Sequence, residues 1–323
     1  MVITCHDRKQ YLRYAIDSAL SQSFPRDHYE ILLVTDFKDT EIEEYCRSKG
    51  IRYIFDQRSG IGTKMALGIE LSCGDIICFL NDDDVFFENK ISTIYKYFSE
   101  FSEVVYIHNN SIRINSFGEI IVNKPVSNQR YIHIIDDKIS PRFVLNSFKN
   151  NMIFNDSSIS IRKSYYLKHT PVLFSVYGNQ DNILFYLSLM TDNKVVFVPQ
   201  VLTYYRVHAG ATSYESDLKK YCDLLYHRII SLKTFLNYIT TQGFSDNIVN
   251  LTYSDIMSQT YQYMILKCSC TASRVFPLVE KGNKKTFKML YTKTRLFLFI
   301  LYIISKIMPR IMRVTLWSIV KEK

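Results

Sequence analysis

The stretch "GDIICFLNDDDVFFENK", residues 74–90, runs an apolar strand directly into three successive aspartates, Asp82, Asp83 and Asp84. Adjacent like charges raise one another's pKa unless a cation compensates them, so a fold that keeps three carboxylates side by side has a use for them. Working outward, residues 1 to about 110 alternate two patterns. "MVITC", "EILLVTD", "IRYIF" and "DIICFL" read as buried strands. "KQYLRYAIDSALSQ", "DTEIEEYCRSK", "GTKMALGIELS" and "ENKISTIYKYFSE" carry apolar residues at helical spacing, as at Leu12, Ala15, Ile16, Ala19 and Leu20. Four strand–helix units in succession imply a largely parallel, Rossmann-like α/β sheet with helices on both faces. Ligands in such sheets bind beyond the carboxyl ends of the strands, and the aspartates stand at one of those ends.

Further on, "VVYIHNNSIRINSFGEIIVN" reads as antiparallel strands turning at Phe117-Gly118, so the second half mixes strand directions. A helix is expected over Asn179 to Met190, followed by two strands, "KVVFVP" and "LTYYRVH". Beyond Ala211 the pattern is helical to the end, which divides the chain near residue 213 into a domain over 1–213 and a helical region over 214–323. The 323 residues, 47% of them hydrophobic, supply a sizeable core. With 24 Tyr and 21 Phe against 10 Gly and 7 Pro, composition suggests no low-complexity linker or disordered tail. The seven cysteines have no zinc-ligand spacing, and with no secretory leader a reducing, cytoplasmic location is expected.

The net charge of +9 is concentrated at one end: Arg274 to Lys323 holds twelve Lys or Arg against Glu280 and Glu322. These cations are interleaved with long aliphatic and aromatic side chains, which points to an anionic membrane surface and away from nucleic acid. Only ten residues separate Arg295 from Lys306, a helix of roughly 15 Å against a hydrocarbon core of about 30 Å. Pro309 then breaks the pattern, so the tail is expected to lie in the interface as an amphipathic pair on the inner face of the cell membrane, with Trp317 at the boundary. The competing reading is a helix packed on protein.

Five segments in order carry a resemblance. "ITCHDRKQYLRYAIDSALSQSF", "EILLVTDFKD", "GIGTKMALGIELSCGDIICFLNDDDV", "GNQDNILFYL" and "YYRVHAGATS" are similar to the successive motifs of glycosyltransferase family 2, inverting enzymes of the GT-A fold. The resemblance covers residues 1–213 and implies a nucleoside diphosphate sugar donor, a glycan or lipid-linked acceptor, and Mg²⁺ or Mn²⁺. Thr35 and Asn81 stand where many members have an acid, and Met1 leaves little strand before Thr4. These departures motivate the alternative of a non-catalytic nucleotide-sugar-binding scaffold. A sugar nucleotidyltransferase would want a glycine-rich loop after the first strand, and "ITCHDRKQ" has no glycine.

The resemblance assigns roles residue by residue. Charge develops on the departing diphosphate, and a hard divalent cation held by few carboxylates offsets it. Asp83 is the expected ligand, Asp84 a further participant, and Asp82 a contact to ribose or metal. A single acid capping the helix over 86–99 is the bland alternative for the triplet. Asp181 in "GNQDNILFYL" is expected to be the general base that deprotonates the acceptor hydroxyl, or else an ordinary acid of a first helical turn. Arg206 and His208 match a segment that approaches the diphosphate, His208 as a possible metal ligand, with packed structural side chains as the alternative. Thr4, His6, Asp7, Asp36, Arg58 and Lys64 are expected around the nucleotide, Asp36 toward the base, with helix capping (Asp7) and surface charge (Arg58, Lys64) as alternatives.

Overall fold

The computed structural model describes residues 1–6, 9–58, 60–127, 133–135, 151–190, 193–211, 217–243 and 246–267. Four short parallel strands, β1 (Val2–Cys5), β2 (Leu32–Thr35), β3 (Arg52–Phe55) and β4 (Ile76–Asn81), lie in the order β3-β2-β1-β4. The first two are wholly buried, which is why they read as unbroken apolar runs: a strand covered on both faces has no solvent side to alternate with. Beyond β4 the sheet becomes mixed. β8 (Ile159–Arg162) joins β4 antiparallel, β6 (Val104–Ile114) joins β8 antiparallel, and β9 (Lys194–Arg206) runs parallel to β6. β9 also pairs antiparallel with β5 (Val85–Phe86) and β7 (His133–Ile135).

Alternation along β1 sorts the helices. Ile3 and Cys5 join one core with Leu12, Ile16 and Ala19 of α1 (Leu12–Leu20), Cys46 of α2 (Thr40–Ser48) and Ile94 and Phe98 of α4 (Lys90–Glu100). Val2 points to the opposite face, where it abuts Gly68 of α3 (Ile61–Leu71). Helices thus cover both faces, as expected from the βα alternation.

Two expectations are corrected. The segments "KVVFVP" and "LTYYRVH" form one strand, because the register against β6 slips between Asn109↔Val198 and Asn110↔Val201 and leaves Pro199 and Gln200 in a bulge. Proline cannot donate to a ladder, and a bulge is where a strand tolerates it. The turn after β6 forms at Asn115–Gly118, with Gly118 at φ +89°, but its return arm makes only the single bridge Ile114↔Ile120 among the described residues.

After β8 come the short helices α5 (Lys163–Tyr166) and α6 (Thr170–Leu173), then α7 (Gln180–Ser188). The chain divides into two compact units, Met1–Val207 and His208–Lys323. In the second, α8 (Leu218–Thr241) buries Cys222, Leu225, Ile229, Leu232, Phe235 and Ile239 at helical spacing, and α9 (Asp246–Lys267) buries Ile248, Leu251, Ile256 and Tyr263. No helix among the described residues is long and apolar enough to cross a membrane. The basic tail from Arg274 lies outside the described residues.

α3 is locked against the segment that leads to α7. Gly62 donates its N–H to the Val176 carbonyl (3.0 Å), and a Cβ on Gly62 would sit 2.3 Å from the Leu173 carbonyl oxygen and 2.6 Å from Val176 Cβ. Alanine gains about 1 kcal/mol of helix propensity over glycine, whereas overpacking costs about 1–3 kcal/mol, and here the obstacle is backbone. Gly62→Ala is therefore expected to destabilise the protein by about 1–2 kcal/mol in denaturant unfolding; a stabilised variant would contradict this packing.

Candidate active site

From β1 the chain winds outward to β2 and β3, then returns to β4 on the other side of β1. Such a switch point opens a crevice at the carboxyl ends of the two strands. It is stitched by Thr4 and Asp82. Thr4 Oγ1 donates to Asn81 Oδ1 (3.2 Å), the Asp82 N–H donates to the Thr4 carbonyl (3.2 Å), and the His6 N–H donates to Asp82 Oδ2 (3.1 Å). Asn81, where relatives of the resembled family often carry an acid, is thus a hydrogen-bonding partner of the first strand.

At the end of β2, Asp36 Oδ2 accepts from Lys64 Nζ (3.0 Å) and meets His6 Nδ1. Burial pushes the Asp36 carboxyl up, but the hydrogen bonds and charge of Lys64 and His6 outweigh it and hold it below the usual carboxylate range. Lys64 is 1% exposed, so its ammonium is committed to Asp36. Thr35 Oγ1 accepts from the Phe37 N–H (3.2 Å) and shapes the turn that presents Asp36. Arg58, beyond β3, grips Asp56 through Nε (2.8 Å) and Nη2 (2.7 Å) and lies over the Phe174 ring at 4.8 Å. Asp7 lies outside the described residues.

The aspartates do not cap α4: its N-cap is Asn89, without a side-chain cap bond, and its first turn holds no acid. Asp84 is fully buried. Its Oδ2 accepts from Ser157 Oγ (2.6 Å) and its Oδ1 from the Arg206 N–H (2.9 Å). Burial, then the charge of Asp83, raises its pKa well above the ordinary value. Arg206, itself buried, clamps the same turn, with Nε donating to the Asp83 carbonyl (2.8 Å), Nη1 to the Asn115 carbonyl (3.1 Å), and its guanidinium over Tyr11 at 4.6 Å.

Ser157 joins these groups from behind. Its Oγ accepts from the Asn81 N–H (2.9 Å), and its carbonyl accepts from Thr203 Oγ1 (2.9 Å) and Lys90 Nζ (3.3 Å). Lys90, wholly buried, also donates to Asn109 Oδ1. Burial lowers its pKa to about 8. Lys90 and Ser157 escape a reading of the sequence, since a lysine in the first turn of an amphipathic helix looks like surface charge.

Asp181 lies in the first turn of α7, which starts from Asn179 in the left-handed conformation (φ 59°). Next to it in space is a residue that the sequence did not single out, Asp156, which follows Asn155 at φ 78°. Asp156 Oδ2 accepts from Gln180 Nε2 (2.6 Å), while its buried Oδ1 faces Asn81 without a normal hydrogen bond. Burial, then the charge of Asp181, and more weakly that of Asp83, push the Asp156 carboxyl up to about 8. The buried Tyr106 hydroxyl, without a hydrogen-bond partner, is raised by burial and by the same Asp181 and Asp156. Asp181 and, more weakly, Asp83 are therefore near enough to Asp156 for their charges to act on it. Two asparagines in a sparsely allowed backbone region deliver Asp156 and the Asp181 helix, and such strain persists where the surroundings enforce it.

His208 opens the second unit, where its Nδ1 accepts from the Gly210 N–H (3.2 Å). Among the described residues, no three His, Cys, Asp or Glu side chains are grouped to hold a metal. Asp84 and Asp156 have no cation paired with them among these residues. Asp82, Asp83 and Asp84 supply carboxyl oxygens, the donor type that a hard divalent cation takes.

Between the unfolded value of 3.8 and the folded value of about 8, Asp156 binds its proton in the folded state only, so its contribution to stability falls as pH rises through that window. Asp156→Asn keeps an acceptor for Gln180 and removes the titration. Its gain in Tm over the parent is expected to widen from about pH 5 to about pH 8. A pH-independent difference would contradict a protonated Asp156.

The description "Glycosyl transferase family 2" belongs to the family whose sequence model matches residues 1–162. An uncharacterized glycosyltransferase of Rickettsia bellii is 28% identical over 125 residues, which are 38% of this chain and 18% of that protein. The minor teichoic acid biosynthesis protein GgaB of Bacillus subtilis is 22% identical over 283 residues, 82% of this chain and 28% of that protein. The chain thus spans less than a third of the length of these relatives. Among solved structures, S. aureus TarS 1-349 in complex with UDP-GlcNAc superposes with a TM-score of 0.64 at 11% identity, covering 99% of this chain and 90% of that one, a likeness of fold. With the match extending over half its length, the chain belongs to glycosyl transferase family 2.

Proposed function

We propose that the protein is an inverting, metal-dependent glycosyltransferase that moves a sugar from a nucleoside diphosphate sugar to a hydroxyl of a glycan or lipid-linked acceptor. What supports this reading is that Asp156, beside the Asp181 helix through Gln180, feels the charges of both Asp181 and Asp83, the latter just beyond the carboxyl end of β4. Asp36, presented by Thr35 and charged through Lys64, faces the nucleoside, with Thr4, His6 and Asp82 lining the crevice and Arg58 at its rim. Asp83 would hold Mg²⁺ or Mn²⁺, which offsets the negative charge developing on the diphosphate. Asp84 beside Asp83 has its oxygens engaged by Ser157 Oγ and the Arg206 N–H.

In the reaction the acceptor hydroxyl gives its proton to the Asp181 carboxylate while its oxygen bonds to the anomeric carbon. The carbon–oxygen bond to the diphosphate breaks with its electron pair, and the nucleoside diphosphate leaves from the opposite face with inversion. A protonated Asp156 beside Asp181 spares the site a second full negative charge next to the base. The UDP-GlcNAc bound by TarS and the teichoic acid role named for GgaB support a UDP-sugar donor and a cell-wall glycan acceptor. The cationic, aliphatic tail from Arg274 supports a peripheral place on the inner membrane face.

Asp181→Asn is expected to lower kcat by about 10²–10⁴-fold while leaving UDP binding and Tm near those of the parent. Asp83→Asn is expected to abolish the metal dependence of UDP binding as well as transfer. Transfer at the parent rate in both variants would defeat the mechanism, and metal-dependent UDP binding without any transfer by the parent would favour the scaffold.

A further inference from the structure

A second concavity, of about 610 Å³, lies along the outer side of α1, lined by Tyr14, Asp17, Phe87, Glu88, Asn89 and Tyr204 among others. It starts beside the reaction centre: the guanidinium that clamps Asp83 lies 5.5 Å from the Tyr14 ring. Its floor is firmly built. Val85 pairs with Tyr204, the Phe86 N–H donates to the buried Ser18 Oγ (3.1 Å), and the Phe87 carbonyl accepts from Gln22 Nε2 (2.9 Å). On this floor Phe87 and Tyr204 stack with centroids 4.1 Å apart and planes 15° apart.

The chemistry of the lining is selective. Asp17 and Glu88 contribute carboxylates, and no Lys, Arg or His lines the groove among the described residues. Among the described residues, the Tyr14 and Tyr204 hydroxyls and the Glu88 carboxylate have no hydrogen-bond partner. Aromatic faces with hydroxyl and carboxylate groups at their edges suit a ligand with apolar C–H faces and many hydroxyls, whereas a polyanion would meet like charge without a compensating cation.

We propose that this groove binds a neutral saccharide chain, the glycan part of the acceptor, alongside the reaction centre. The identity of the chain as acceptor rests on the glycosyltransferase reading; the saccharide site itself does not. The full-length protein is to be examined by saturation-transfer NMR with maltohexaose and N-acetylated chitohexaose as neutral probes and polyphosphate as the anionic one. Saturation transfer to at least one neutral probe is expected, with binding weakened about tenfold by Tyr204→Ala, from the loss of stacking and buried ring area. Glu88→Lys, on the exposed rim, serves as the second variant and is expected to weaken the same probe. UDP binding should be unchanged in both. No transfer to either neutral probe, undiminished transfer in both variants, or polyphosphate binding that Tyr204→Ala removes would each overturn the proposal. Failure of UDP binding in the parent would instead count against the donor site, so the two readings fail separately.

Discussion

Several carboxylates are held together, largely out of water, at the ends of β1 and β4, and most of the surrounding construction answers to that constraint. Asp84 and Asp156 are both buried and lack a paired cation among the described residues, and an isolated buried charge is too costly to keep. The protein responds in two ways. It lets burial and mutual repulsion raise the carboxyls of Asp84 and Asp156 toward their neutral forms, and it fixes their geometry with neutral donors. Ser157 and the backbone of Arg206 hold Asp84, and Gln180 holds Asp156. The buried Arg206 adds rigidity by bonding the Asp83 and Asn115 carbonyls. The result is a cluster of carboxyl groups held in fixed positions by neutral donors.

The two ends of the sheet divide the work. The parallel half, with Asp36 charged through Lys64, has the topology that leaves a crevice at the strand ends. The mixed half brings Ser157, Asp156 and, through the Gly62 lock, the segment that leads to Asp181. Thr35 shows how a departure from the family pattern is absorbed: a hydroxyl that shapes the turn replaces an acid, and the neighbouring aspartate keeps a buried cation to itself.

Much of the parallel half was legible in the sequence because its signals are local. Buried strands read as apolar runs, the amphipathic helices show their spacing, and three aspartates at a strand end need no tertiary knowledge to be noticed. Asp181 was legible only through the resemblance of its surroundings. What stayed hidden is long-range. Asp156 lies between serines and an asparagine and looks like a turn; its importance comes from Asp181, which is brought to it by the fold. Lys64 read as a nucleotide contact or a surface charge, and its partner Asp36 is 28 residues away in the chain. The segments on either side of Pro199 read as two strands because a bulge, which depends on the register with β6, is invisible from one strand alone.

The most direct test of the converging carboxylates is a crystal structure of the protein soaked with Mn²⁺ and a UDP-sugar, with the metal located by its anomalous signal. The expected result is one Mn²⁺ bound by the Asp83 carboxylate and the diphosphate, with Asp181 facing the anomeric carbon from the side away from the leaving group. A metal bound away from Asp83, or a donor whose anomeric carbon faces away from Asp181, would contradict it.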